Sequence, residues 1–230
     1  AAREIEQQEE RNMLIANLSH DMRTPVTAIK GYIEGIIDGI ADTPEKQQKY
    51  LDTIYSKAIV LERLLDGMTE YSELELGRMQ YAFEFVDITE YLSKLAEEYR
   101  TEIETHNLSF TCSLADKEMI VLADKNKLKR VLDNLIGNAI KYNKEGGNVM
   151  LTQEAVSSGV MITVSDNGTG IKKEDLPRIF DGFYRGDSAR SNIKGNGLGL
   201  AISKQIIENH HGKIWVKSEK DEGTQIFVYL

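Results

Sequence analysis

A histidine on a predicted helix is the first residue in this sequence that could do chemistry. His20 lies two residues from both Leu18 and Met22, which belong to an apolar series at spacings of three and four. Two residues correspond to about 200° around a helix, so His20 must face solvent. Asp21 follows directly, and its carboxylate can hold the proton of one ring nitrogen and free the other for attack. The pair indicates a nucleophile. From these residues alone, an ordinary solvated histidine is the alternative.

Two more residues of interest lie within about one turn of this histidine. Thr24 comes four residues after His20, on the same side of the helix, and its hydroxyl can hold a water molecule. Pro25 cannot donate a hydrogen bond to the carbonyl of Asp21, so we expect the helix to bend just below the histidine. A packing residue before Pro25 is the alternative reading of Thr24.

A second group of chemically capable residues lies in the C-terminal half. Asn134, Asn138 and Lys141 share one face of a predicted helix, with Tyr142 beside them. Amide oxygens suit a hard cation such as Mg²⁺, and lysine suits phosphate. Asp166 ends a predicted strand within DNGTG, where its carboxylate could accept a hydrogen bond from an exocyclic amine.

Glycines accompany these residues in three clusters. They are Gly168 and Gly170 in DNGTG, Gly195, Gly197 and Gly199 in GNGLGLA, and Gly223 before Thr224 in GTQIFVYL. The first cluster would let the backbone approach a flat ligand, and the second could present amides to phosphates at a helix N-terminus. No strand directly precedes the second cluster, so it is not the Rossmann fingerprint.

Composition limits the class of protein. The 230 residues carry 28 Lys and Arg against 37 Asp and Glu, a net charge of −9, and 41% are hydrophobic. These values exclude a disordered chain and argue against a general nucleic-acid-binding surface. A single cysteine, Cys112, excludes an internal disulfide and favours a reducing, cytoplasmic location. No apolar run approaches the roughly 20 residues of a bilayer span. We expect the cytoplasmic portion of a longer protein, in which a membrane anchor would lie upstream.

The first half is predicted to be a helical hairpin. Thr43 is suited to cap the second helix and Pro44 to open it. The two apolar series are Ile15, Leu18, Met22, Val26, Ile29, Ile33, Ile36 and Ile40, and Leu51, Ile54, Ala58, Leu61, Leu65 and Met68. Two helices cannot enclose a core, so we expect dimerisation into a four-helix bundle. Packing onto the C-terminal half of the same chain is the alternative.

The second half is predicted to be an α+β two-layer sandwich. From residue 80, short strands alternate with longer helices, which indicates a mixed sheet of about five strands with helices on one face. Residues 168–197 form an irregular stretch longer than ordinary loops, so we expect a functional lid there.

Taken in order, the motifs resemble those of the sensor histidine kinases of bacterial two-component systems, over essentially the whole chain. NLSHDMRTP is similar to the family's phosphoacceptor box, NLIGNAIKY to its N box, DNGTGI to its first glycine box, IFDGFYRGD to its F box, GNGLGLAI to its second glycine box and GTQIF to its last glycine box. The resemblance implies a dimerisation and histidine phosphotransfer domain, residues 1–78, followed by a catalytic ATP-binding domain of the Bergerat type, residues 79–230.

The resemblance also implies a reaction. His20 would take the γ-phosphoryl group of ATP, with Asp21 as general base or orienting acid, and pass it to an aspartate on the receiver domain of a response regulator. Thr24 would position water to dephosphorylate that regulator. The catalytic domain would swing onto a homodimeric bundle about a hinge at Glu73–Met79.

The nucleotide site implied by the resemblance is spread over several motifs. Its members are Asn138 as the Mg²⁺ ligand with Asn134 nearby, Lys141 on phosphate, Tyr142 stacked on adenine, Asp166 on the adenine amino group, Gly168 and Gly170 around that pocket, Gly195, Gly197 and Gly199 as the lid hinge, and Leu198 and Thr224 as further binding residues. Arg185 would neutralise charge during transfer. Phe180 and Phe183 would anchor the lid, with a plain core role as the alternative.

One departure from the family pattern and two alternative functions remain. Asp181–Gly182 stands where the family commonly has Glu and a larger residue, which bears on the ordering of the lid and on the role of Arg185. No chemistry is assigned to His210 or His211. A plain Bergerat-type ATPase is disfavoured by the NLSHDMRTP box, and a degenerate dimeric scaffold by the intact Asn138 and Asp166.

Overall fold

The computed structural model describes residues 2–156, 158–182, 184 and 197–230, leaving aside the side chains of residues 2–14, 17 and 75. The chain divides into two units, Ala1–Gly77 and Arg78–Leu230. Within the described ranges, none of the helices combines the length and the apolar character that a membrane span requires.

The first unit is a pair of helices, α1 (Ala2–Ile37) and α2 (Pro44–Glu75). α1 continues through Pro25. At the start of α2, the side chain of Thr43 accepts a hydrogen bond of 3.3 Å from the backbone N–H of Lys46, and Pro44 occupies the first helical position. An N-cap oxygen satisfies an amide that has no partner within the helix. The predicted hairpin and its cap are therefore confirmed.

The apolar side chains of the hairpin differ widely in exposure, from buried leucines to Ile37 at 76%. Leu18, Leu64 and Leu74 are buried, whereas a second group remains 39–51% exposed. The members of the exposed group are Ile15, Val26, Ile33, Leu51, Leu65 and Met68. Packing one helix on the other therefore leaves a second apolar face of this unit uncovered.

The second unit alternates strands and helices as predicted. Its elements are β1 (Glu84–Asp87), α3 (Ile88–Thr105), β2 (Ser109–Ser113), β3 (Ile120–Ala123), α4 (Lys125–Lys141), β4 (Asn148–Val156), β5 (Gly159–Asp166), α5 (Gly199–Asn209), β6 (Lys213–Glu219) and β7 (Gly223–Tyr229). Five strands form one sheet in the order β2-β4-β5-β7-β6, in which only the β2–β4 pair is parallel. β1 and β3 form a separate antiparallel pair. The predicted mixed sheet is confirmed.

The helices cover one face of the five-stranded sheet. Along β4, Val149 and Leu151 are buried while Met150 and Glu154 are exposed, the alternation of a strand with one face on a core. Fully buried side chains of both layers form that core: Leu92 in α3, Leu132 and Ile136 in α4, Ile206 in α5, and Leu151, Ile162 and Val228 in the sheet. This is the two-layer α+β arrangement expected from the sequence.

Candidate functional site

His20 and Asp21 form an exposed pair on α1. The side chain of His20 is 79% exposed, and its Nδ1 lies 3.3 Å from Oδ1 of Asp21. A proton held on Nδ1 by the carboxylate leaves a lone pair on Nε2. The structure thus gives the histidine the solvent exposure and the acidic neighbour that a nucleophile needs.

Thr24 is tied to the same turn of α1. Its Oγ1 donates to the backbone carbonyl of His20 over 3.4 Å, while the side chain of Pro25 is buried. The hydroxyl hydrogen is therefore directed at the helix, and the oxygen lone pairs are what remain to accept a hydrogen bond from water.

A cavity of about 500 Å³ in the second unit brings most of the predicted binding residues together. It is lined by Asn134, Asn138, Lys141, Tyr142, Asp166, Gly170, Gly197, Gly199 and Thr224 from the predicted set. Its volume is in the usual range for small-molecule sites. Residues far apart in the sequence meet here because α4, the end of β5, the start of α5 and the β6–β7 turn surround one space.

Asp166 is one of three aspartates that line the cavity and lies at the end of β5, opposite Thr224 of β7. The backbone N–H of Gly168 donates to Oδ1 of Asp166 over 2.8 Å. Burial raises the pKa of Asp166 to about 6, although hydrogen bonds from the backbone at Gly168 and Thr224 oppose that rise. At neutral pH the group is mainly a carboxylate, able to accept a hydrogen bond from an amine.

Asn134 joins α4 to α5. Its Nδ2 donates to Oγ of the buried Ser203 over 3.0 Å. Gly199 lies so close that a Cβ there would collide with Oδ1 of Asn134. A larger residue at the start of α5 would therefore displace the Asn134 side chain, which serves the α4–α5 contact as well as the cavity wall.

Asn138 and Lys141 line the cavity one turn further along α4. Among the described residues, the side-chain amide of Asn138 makes no hydrogen bond. Nζ of Lys141 donates to the hydroxyl of Tyr142 over 3.1 Å and lies 4.7 Å from the centre of its ring. No cluster of three or more Asp, Glu, His or Cys occurs in the described part of the chain. The donor set fits a Mg²⁺ ion that takes one amide oxygen from the protein and its other ligands from phosphate and water.

Gly168 and Gly170 follow Asp166 for a reason other than the predicted approach of a flat ligand. A Cβ on Gly168 would collide with the carbonyl of Tyr142, and Gly170 has φ +61° and faces the carbonyl of Glu219. Backbone approaching backbone therefore requires glycine at both positions. Gly170 lines the cavity, whereas Gly168 acts through its hydrogen bond to Asp166.

Leu198 can contribute to the site only through its backbone, so its binding role stays a prediction. Its side chain is 1% exposed and belongs to the core, so it does not line the cavity. Gly197 before it has φ +69°, a conformation that glycine adopts at little cost. The buried leucine fixes the start of α5, which presents Gly199 to the cavity.

Sequence reasoning missed part of the cavity wall. Ile171, Lys172, Asp175, Ile179, Tyr184, Leu200, Lys220 and Asp221 also line it. The hydroxyl of Tyr184 donates to Asp175, and the guanidinium of Arg178 lies 4.3 Å from the Tyr184 ring centre. The signal was present in IKKEDLPRIF, directly after DNGTG, but the length of that segment indicated only a lid.

Phe180 is half-buried. Phe183, Arg185 and Gly195 lie outside the described residues, so their roles stay predictions.

Sequence comparison decides the family. Residues 123–230 match the Histidine kinase-, DNA gyrase B-, and HSP90-like ATPases, a group that contains more than kinases. Residues 10–77 match the His Kinase A (phospho-acceptor) domain. The chain belongs to the sensor histidine kinases. The order of the two domains in this histidine kinase is the order that its motifs predicted.

Individual histidine kinases resemble the chain along most of its length. It is 33% identical over 225 residues to sensor histidine kinase WalK of Bacillus subtilis, an alignment covering 96% of this chain and 37% of WalK. The chain therefore spans little more than a third of that curated relative. Histidine kinase ThkA, solved in complex with response regulator protein TrrA, superposes with a TM-score of 0.73 at 26% identity, covering 99% of this chain and 65% of that one. Full-length ShkA, solved with AMPPNP, gives 0.69 at 26% identity, covering 95% and 45%.

Proposed function

We propose that this chain is the ATP-dependent kinase core of a longer sensor protein, which phosphorylates itself on His20 and then phosphorylates an aspartate of a response regulator. The observation that carries the proposal is the solvent-facing His20–Asp21 pair in a matched phosphoacceptor domain, followed by a cavity that contains Asn138 and Asp166. A plain ATPase does not need an exposed His20–Asp21 pair on a separate helical hairpin. A scaffold without activity does not need a cavity that contains Asn138 and Asp166.

The cavity supplies partners for the adenine and the phosphates of ATP. Asp166 accepts a hydrogen bond from the adenine amino group, and Tyr142 offers a ring for stacking. Lys141 brings positive charge to the phosphates. Mg²⁺ held by Asn138 would neutralise phosphate charge during transfer. The ShkA structure with AMPPNP supports an adenine nucleotide as the ligand.

Two balanced steps make up the proposed reaction. Nε2 of His20 attacks the γ-phosphorus, the bond from that phosphorus to the β,γ-bridging oxygen breaks, and ADP leaves with the electron pair. The carboxylate of Asp21 stabilises the positive charge on the His20 ring by accepting a hydrogen bond from the Nδ1 proton of that ring. A carboxylate of the regulator then attacks the phosphorus, and the N–P bond breaks to return neutral His20.

Partners are part of the proposal. His20 and the cavity belong to different units, so turnover needs an encounter between them, within one chain or between two. The exposed apolar group on the hairpin, from Ile15 to Met68, supports a homodimeric four-helix bundle. The ThkA–TrrA complex supports a response regulator as the acceptor. The need for ATP and the single Cys112 support a cytoplasmic location for this portion. A membrane anchor upstream stays a prediction.

The test is incubation with γ-labelled ATP and Mg²⁺, followed by acid and base treatment of the labelled protein. A phosphoramidate on histidine is lost in acid and survives base, whereas a phosphoester on serine or threonine survives acid. Acid-labile label that transfers to a response regulator is the expected result. Acid-stable label, or ATP hydrolysis without label, would contradict the proposal.

Nucleotide affinity should fall as the pH is lowered through about 6. The carboxylate form of Asp166 accepts the adenine hydrogen bond, and its folded-state pKa of about 6 means that acid removes that acceptor. A group that must be deprotonated to bind gives about tenfold weaker affinity one pH unit below its pKa. Titration of a fluorescent ATP analogue from pH 7.5 to 5 measures this. Asp166→Asn is the control: it should bind more weakly at pH 7.5 and lose the pH dependence. An unchanged profile in that variant would assign the dependence to another group.

Thr24→Ala should separate the two activities. Autophosphorylation should stay within about twofold of wild type, because no step of transfer from ATP needs the hydroxyl, whereas dephosphorylation of the regulator should fall about tenfold or more through loss of the water-positioning oxygen. The decay rate of phosphorylated regulator, measured beside labelling of His20, checks this. Thr24→Ser, which keeps the hydroxyl, is the matched control. Equal loss of both activities would instead indicate a packing role beside Pro25.

A further inference from the structure

A buried histidine outside the reaction lies at the C-terminal end of α5. His210 is 7% exposed. Its Nε2 accepts a hydrogen bond of 3.0 Å from the backbone N–H of Asp124, and its Nδ1 lies 2.8 Å from the carbonyl of Ile206. The ring must therefore carry its proton on Nδ1 and keep Nε2 as an acceptor. Burial lowers the pKa of His210, which favours this neutral form.

Asp124, the partner of this histidine, organises the start of α4. Its Oδ1 accepts from the backbone N–H groups of Asn126 and Lys127 over 2.9 and 3.0 Å, which caps the helix. Its Oδ2 accepts from the backbone N–H of Ala82 over 2.9 Å. One residue thus ties the first turn of α4 to the end of α5 and to the segment that leads into this unit.

The leading segment also packs on the histidine ring. Tyr81 and Phe83 lie edge-on to His210, with ring centres 5.7 and 4.9 Å away, and stack on each other at 5.5 Å. Nδ2 of Asn209 donates to the hydroxyl of Tyr81 over 2.9 Å. We call Tyr81, Ala82, Phe83, Asp124 and His210 the latch.

The latch and the cavity lie at opposite ends of the same two helices. Ten residues of α4, about 15 Å, separate Asp124 from Asn134, and a similar length of α5 separates His210 from Gly199. The latch fixes α4 to α5 at one end, and the hydrogen bond from Asn134 to Ser203 fixes them near the other. The relative position of the helices that line the cavity thus depends on both links.

We infer that His210 is a positioning residue for nucleotide binding. His210 links Asp124 to the end of α5 and packs against Tyr81 and Phe83. It thereby holds α4 and α5 in the arrangement in which Asn138 and Gly199 line the same cavity. Because the latch includes residues 81–83, just after the start of this unit, it also makes nucleotide affinity depend on the segment that joins the cavity to the hairpin. The inference rests on the proposed function, since it assumes that the cavity binds ATP.

The test compares His210→Phe with His210→Gln in the full chain, using a fluorescent ATP analogue with Mg²⁺ and thermal unfolding of each variant. Phenylalanine keeps the ring contacts but removes the acceptor for the Asp124 N–H, whereas glutamine restores an acceptor. We expect the Phe variant to bind about tenfold more weakly, a coupling of ordinary size between linked sites. The Gln variant should recover most of that affinity. Measuring well below the unfolding temperature separates positioning from stability, which alone would leave Kd unchanged.

Two further variants keep the test decisive. His211→Asn changes the exposed neighbouring histidine, which has φ +58° that asparagine tolerates, and should bind like wild type. If His210→Phe does not fold, Tyr81→Phe decides, because it keeps the ring but removes the hydroxyl that accepts from Asn209, and it should weaken binding about two- to threefold.

The outcomes distinguish this inference from the proposed function. Wild-type affinity in the folded Phe variant, or a Gln variant as weak as the Phe variant, would overturn the role of His210 while ATP binding and labelling of His20 stand. Wild-type affinity in Tyr81→Phe would overturn the dependence of nucleotide affinity on residues 81–83. A wild-type chain that binds no nucleotide would overturn the proposed function, and this inference with it.

Discussion

His20→Gln should abolish autophosphorylation while leaving nucleotide binding intact. Glutamine keeps a polar side chain of similar reach on an exposed helical position but has no nucleophilic nitrogen, so labelling should fall by about a thousandfold or more. Nucleotide affinity should not change, because every described residue lining the cavity lies in the other unit. Two measurements on the same preparations check this prediction. Acid-labile label from γ-labelled ATP reports autophosphorylation, and the Kd of a fluorescent ATP analogue reports nucleotide binding.

A matched control separates this result from a general effect of losing a histidine. His106 is exposed in the second unit, where its Nδ1 lies 2.9 Å from the carbonyl of Glu102, and His106→Gln should label like wild type. Acid-labile label persisting in His20→Gln would show that another residue accepts the phosphoryl group.

Asn138→Asp should cripple autophosphorylation by about a hundredfold, the second largest effect expected. The substitution replaces an amide that makes no hydrogen bond within the described part of the chain by a carboxylate. This change adds negative charge beside the triphosphate and alters the ligand that would hold Mg²⁺. Initial labelling rates over a range of Mg²⁺ concentrations measure the loss. Raising Mg²⁺ should recover only part of the rate, because the repulsion of phosphate remains.

Asn126→Asp is the corresponding control. Asn126 is exposed near the start of the same helix, about 18 Å from Asn138 along the axis. An aspartate at position 126 therefore adds the same charge to the helix without lining the cavity. Its labelling rate should match wild type. A wild-type rate in Asn138→Asp at low Mg²⁺ would remove Asn138 from the metal site.

Much of the fold followed from local patterns. Helical spacing predicted both helices of the hairpin, Thr43 and Pro44 predicted the start of α2, and alternating short strands predicted the mixed sheet. The exposure of His20 followed from its angular position relative to Leu18 and Met22. The cavity residues on α4 shared a face because their spacing of four and three is itself a local property.

The sequence by itself determined which residue types could react and which elements carry them, because periodicity, caps and motifs act between near neighbours. Only the tertiary structure decided which atoms the glycines of the site meet, that Leu198 belongs to the core, and that Asn134 bonds to Ser203. The latch shows why: Asp124 is 42 positions from Ala82 and 86 from His210, yet bonds to both. Such contacts depend on how strands order and helices pack, which no local rule specifies, so a histidine without assigned chemistry in the sequence becomes a link between two helices in the fold.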